Sequence, residues 1–132
     1  ARPSLTFKSI ENRSKFEPAG YEVIVEGGTV VTQVLYNPTL VGGTWSPYDA
    51  TSSAIEGNAT VSSYSGGVSV GSSIIASGSK QAVSPVFGKT VTSRLPFGIG
   101  IDANAPIPLA LAAYATTNGV TASFTFQWEE QR

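Results

Sequence analysis

From Val120 to Glu129, apolar and polar residues alternate without interruption. Val120, Ala122, Phe124, Phe126 and Trp128 fall on one face of an extended strand, and Thr121, Ser123, Thr125, Gln127 and Glu129 fall on the other. A period of two is the strand signature, because successive side chains point to opposite sides of a sheet. A slip of one residue would exchange the two faces, so the pairing of this strand is tightly specified. Burying its apolar face contributes roughly 8–12 kcal/mol before entropy, at ~1.5–3 kcal/mol per large side chain.

The same period recurs along the chain, and no window holds a sustained helical stripe. Leu5 and Phe7 share a face of a first short strand, with Asn12 to Gly20 as a loop. Tyr21 to Glu26 and Thr29 to Tyr36 flank Gly27-Gly28, a spacing that predicts a β-hairpin. Gly42 to Ala50 is a long connection. Strand-like runs follow at Ser53 to Ser63, Gly67 to Ala76, Gln81 to Phe87, Lys89 to Arg94 and Phe97 to Ile101. Leu109 to Ala115 and Val120 to Trp128 read as a second hairpin around Thr116 to Gly119, with Asn-Gly as the turn signal. The expectation is one all-β domain over residues 1–132, an antiparallel, jelly-roll-like β-sandwich of about eight short strands. Residues 1–20 are expected as an extended docking arm.

Composition narrows the function. Charged residues are 13% of the chain, against a usual share of about 25%. The formal net charge is −1, which leaves no basic field for a phosphate backbone, so nucleic acid is not an expected partner. The longest apolar run, Ala103 to Ala115, is broken by Asn104, Pro106 and Pro108, and no membrane insertion is expected. With no Cys and no His, the commonest nucleophile activators and soft-metal ligands are missing. Lys80 beside Ser77 or Ser79 is favoured as a surface loop over a Ser–Lys pair. Asp49, Glu56 and Asn58 could supply oxygen to a cation, but ordinary turn and capping roles fit their spacing better. Gly98 and Gly100 lack the β-α-β setting of a dinucleotide fingerprint. No catalytic residue, metal or cofactor is expected, and the chain reads as a protein that is not an enzyme.

Two features point to contacts instead. Trp45 and Tyr48 sit in the Gly- and Pro-containing connection, either as a ligand or partner contact or as a cap on one end of the sandwich. Thr121, Ser123, Thr125 and Gln127 form a strand face with no charge, in a stretch where only Asp102 is charged between Arg94 and Glu129. Solvent-facing strands usually carry Lys or Glu, and interface cores are depleted in charge. That face is therefore read either as a subunit interface or as a Ser/Thr-rich exposed sheet.

Leu109 to Tyr114, the Thr-Thr-Asn-Gly turn and the run Val120 to Glu130 resemble small β-sandwich structural proteins of tailed-phage virions. Gly42 to Trp45, Ser53 to Asn58 and Gly66 to Val68 are similar to the same group, so the likeness spans residues 38 to 130. The resemblance implies a homo-oligomer, with a trimer favoured, that attaches to other virion proteins of a capsid, tail or fibre. It places the protein in the virion. The alternative is an extracellular or cell-surface carbohydrate-binding or adhesin module that takes a host-surface glycan at Trp45 and Tyr48. A pilus-like variant would donate Leu5 to Ile10 as a strand.

Overall fold

Tyr21, Val23 and Val25 turn inward along one strand while Ile24 and Glu26 remain exposed, as their alternation requires. The computed structural model describes residues 1–76 and 106–131. Its regular elements are all strands, and no helix occurs among the described residues. The strand carrying Tyr21 is β4, Lys15–Glu26, in a chain order that begins with β1, Arg2–Pro3, β2, Thr6–Phe7, and β3, Ile10–Glu11. Next come β5, Val30–Tyr36, β6, Thr39–Val41, β7, Ser46–Pro47, and β8, Ile55–Gly57. The others are β9, Ser63–Ser65, β10, Val68–Ile75, β11, Leu109–Ala115, and β12, Thr121–Gln131.

Two sheets make the sandwich. β12 pairs antiparallel with β4, from Thr121 opposite Glu26 to Gln131 opposite Lys15. β5 lies between β10 and β11 and is antiparallel to both. Phe16, Tyr21, Val23 and Val25 of the first sheet pack with Val30, Val34, Ile75 and Leu109 of the second, and Ile55 of β8 closes one end. A polar contact crosses this core. The Tyr21 hydroxyl and Thr32 Oγ1 lie 2.8 Å apart, and Thr32 Oγ1 also donates to the Ser73 carbonyl at 3.2 Å. Thr32 is fully buried, so the bond offsets the cost of placing a hydroxyl there.

Both expected hairpins are corrected. β4 and β5 are consecutive but belong to opposite sheets, and so do β11 and β12. Periodicity assigns each side chain a face but does not assign a strand its neighbour. Gly27-Gly28 and Thr116 to Gly119 are corners that cross between sheets, and they lie against each other. Thr116 N–H donates to the Thr29 carbonyl at 3.1 Å. A Cβ on Gly28 would fall 2.6 Å from Val120 Cγ2 and 2.7 Å from Thr117 Oγ1, so the meeting of the two corners requires glycine there.

The loop expected over Asn12 to Gly20 is also corrected, because β4 already begins at Lys15. The break in its pattern is a bulge. Pro18 lies opposite Trp128 and Gly20 opposite Gln127, which leaves Ala19 without a partner. Proline has no N–H to give a ladder and is tolerated in sheets at such positions. The run Ser53 to Ser63 resolves into β8 and β9. The strands expected at 81–87, 89–94 and 97–101, on which a jelly-roll path turns, lie outside the described residues, as do Ser77, Ser79, Lys80, Gly98 and Gly100.

Residues 1–20 lie on the domain instead of extending from it. Arg2 and Pro3 pair with Glu56 and Ile55. Ser4 N–H donates to the Ala54 carbonyl at 2.9 Å, and buried Asn12 donates from Nδ2 to the carbonyls of Ser4 and Ala54 at 2.8 and 3.0 Å. The Ala1 amine donates to the Leu109 carbonyl at 2.7 Å. Leu5 to Ile10, the stretch considered as a donated strand, folds with Glu11 into the two-stranded hairpin of β2 and β3.

Two stability measurements check this core. Tyr21→Phe removes the cross-sheet bond and is expected to cost about 0.5–1.5 kcal/mol, read as a lower urea midpoint with an unchanged slope. Burial, and secondly the charge of Arg2, lowers the Ala1 amine from 8.0 to about 6. In a chain with a free amine at Ala1, the unfolded state binds the extra proton between those values. Stability therefore rises with pH from about 6 to 8.0, and acetylating the amine removes that slope.

Candidate interaction surface

The connection from β6 to β8 is held by turns of its own. Gly42 and Gly43 both adopt positive φ, at 77° and 73°. A Cβ on Gly43 would lie 2.7 Å from the Thr60 backbone and 2.4 Å from Asn58 Oδ1. Asn58 donates from Nδ2 to the Gly42 carbonyl at 3.2 Å and accepts at Oδ1 from Thr60 N–H at 3.0 Å. These bonds fix the start of the loop and set the position of Trp45 just beyond it.

Trp45 is half-buried, and the Arg2 guanidinium lies 4.0 Å over its ring. Arg2 Nε also donates to Glu56 Oε2 at 3.0 Å. One face of the indole is therefore occupied by a cation that Glu56 holds in place, a contact worth roughly 0.5–1 kcal/mol at an exposed site. Tyr48 is 70% exposed and rests edge-on against Trp128, with ring centroids 5.0 Å apart and planes at 78°. Its N–H donates to the Ile55 carbonyl at 2.9 Å. Trp45 thus packs beneath Arg2 and Tyr48 against Trp128, and Tyr48 also presents a ring to solvent.

Glu130 ties this end to β12. Its carboxylate accepts from the Ser53 hydroxyl, from Ala54 N–H at 3.2 Å and from Trp128 Nε1 at 3.2 Å. Asp49 serves its own turn. The Thr51 hydroxyl and N–H, and then Ser52, hold its carboxyl below the usual carboxylate range. Glu56 faces Arg2 and Asn58 faces Thr60, so Asp49, Glu56 and Asn58 are engaged separately and do not converge on one point.

Between β11 and the inner face of β12 the sandwich opens into a cleft of about 1260 Å³. Trp45, Tyr48, Tyr64, Leu111, Phe124 and Trp128 contribute most of its large apolar lining. Phe124, expected as core from its spacing, is 40% exposed at the mouth of this cleft. It stands opposite the fully buried Val23 on β4, but β12 has no further strand beside it among the described residues. Periodicity identified the inward face correctly and could not show that the face is only partly covered.

Thr121, Ser123, Thr125 and Gln127 are exposed on the outer face of the same strand. They stand opposite Glu26, Ile24, Glu22 and Gly20. The face that is uncharged along β12 therefore carries two carboxylates on β4, and Gln127 Nε2 donates to Glu22 Oε1 at 3.3 Å. The Arg2–Glu56 pair beside Trp45 carried no sequence signal, because its two residues lie far apart in the chain and meet only through the pairing of β1 with β8.

No family model, curated relative or solved structure matches the chain.

The Glu130 clamp is open to measurement. Glu130→Ala is expected to lower stability by about 1.5–3 kcal/mol, as for hydrogen bonds to a charged group. Glu129→Ala, at an exposed position, is expected to stay within about 0.5 kcal/mol. Urea unfolding followed by tryptophan fluorescence separates the two.

Proposed function

We propose that this chain is a non-enzymatic structural protein of a virion, which assembles with copies of itself as a homotrimer and attaches to a capsid or tail. The observation that carries the self-assembly is the cleft between β11 and β12. Tyr48, Tyr64 and Phe124 line it with 70%, 50% and 40% of their surfaces exposed. Contiguous exposed apolar surface of this kind marks protein contacts, and aromatic residues are enriched at interfaces. The uncharged run of β11, Leu109 to Ala115, an edge strand among the described residues, adds to it, since exposed edge strands usually carry charge. The virion assignment rests on the resemblance over residues 38 to 130. A glycan site at Trp45 fits less well, because Arg2 already covers one face of the ring that a sugar would stack on.

The occupant of the cleft in this reading is a second copy of the chain. Light scattering of the purified protein at micromolar concentration should give the mass of a trimer, and a monodisperse monomer would overturn the proposal. Two variants on neighbouring faces of β12 locate the contact. Phe124→Glu should dissociate the assembly. Ser123→Lys, flanked diagonally by Glu22 and Glu26, should leave both the monomer fold and the assembly intact. The reverse result would move the interface to the outer face formed by Thr121, Ser123, Thr125 and Gln127.

A further inference from the structure

The corner between β11 and β12 contains the one Asn-Gly pair in the sequence, Asn118-Gly119. Both residues are exposed, and Gly119 has a positive φ of 80°. A Cβ at Gly119 would meet nothing within 4 Å, so that side of the residue is open, while its carbonyl faces Gly27 of the other corner. No hydrogen bond among the described residues engages the Asn118 carboxamide or the Gly119 N–H.

We infer that Asn118 is a site of spontaneous deamidation, in which the peptide nitrogen of Gly119 attacks the Asn118 side chain. The nitrogen gives its proton to water and forms a bond to Asn118 Cγ. The Cγ–Nδ2 bond breaks, and the nitrogen leaves as ammonia with a returned proton. Water then opens the five-membered imide at either carbonyl, which yields aspartate or isoaspartate. One amide and one water become one carboxylate and one ammonium, with no change of oxidation state. Glycine favours the closure because its lack of a Cβ leaves both the attacking nitrogen and the neighbouring torsions free.

The other described asparagines lack these conditions. Asn12 is buried, and its Nδ2 is bonded to two carbonyls. Asn37 precedes Pro38, whose nitrogen has no proton to lose. Asn58 precedes Ala59, and its carboxamide is held by Gly42 and Thr60.

The product matters because of where the corner sits. A new carboxylate changes the formal charge from −1 to −2, by one unit. It appears three residues from Thr121, which pairs with Glu26. The isoaspartyl product also adds a methylene to the main chain, in a corner whose Thr117 and Val120 side chains leave no room for a Cβ on Gly28.

The test holds the purified full chain in mildly alkaline buffer at body temperature beside the same chain unfolded in urea. Ion exchange reads the acidic variant, and peptide mapping with isoaspartyl methyl-transfer labelling reads its position. The expected result is a one-charge variant that accumulates in the folded protein about as fast as in the unfolded chain. It should map to Asn118 as mixed aspartate and isoaspartate, and it should be lost in Asn118→Gln. An intact Asn118 in the folded protein while the unfolded chain converts would overturn the inference. First conversion at another asparagine would overturn it as well, and both readouts use the unmutated chain.

Discussion

Most of this structure depends on consecutive strands facing each other across the core instead of pairing. Tyr21, Val23 and Val25 look across at Val30, Thr32 and Val34, and the bond between Tyr21 and Thr32 joins the two layers at the centre. Because β4 and β5 do not hydrogen-bond to each other, each must find its ladder elsewhere. β4 takes β12, and β5 takes β10 and β11. The two corners then meet, which is why Gly28 has no space for a side chain.

The exposed aromatic surface follows from that arrangement. β12 pairs with β4 along its length, but its own inward residues face a layer that ends at β11 among the described residues. Phe124 is left at the mouth, while Trp128 is covered by Tyr48 and tied through Glu130 to Ser53 and Ala54. The loop bearing Trp45 is set by Gly43 and Asn58 on one side and by Arg2 on the other.

Much of the fold was legible in the sequence. The alternation in Val120 to Glu129 and in Tyr21 to Glu26 separated the two faces of each strand, and the inward residues pack on the core except Phe124, which is 40% exposed. Pairing was not legible, because Gly27-Gly28 and Asn118-Gly119 serve a sheet-crossing corner as well as a hairpin. Only Gly27 of the first pair has a positive φ. The start of β4 was hidden by Pro18 and Gly20, which are the marks of a bulge as well as of a loop. At the surface, Trp45 and Tyr48 were visible as aromatic residues in a connection, whereas Arg2 over Trp45 depends on a pairing fifty residues distant and leaves no local trace.

The pairing of β4 with β12 also governs when the chain can become a protein. Glu26 meets Thr121, and Phe16 meets Glu130, so the longest ladder among the described residues joins residues 15–26 to residues 121–131. Ordered contacts at such separation make folding slow, since a long loop must close before the ladder rewards it. On a ribosome, β4 emerges long before the strand that completes its ladder is made. During that interval its backbone edge is open to any other extended chain. Synthesis therefore passes through a period in which the segment that later anchors the core is most exposed to wrong pairing. β12, made long after β4, is the element that ends it.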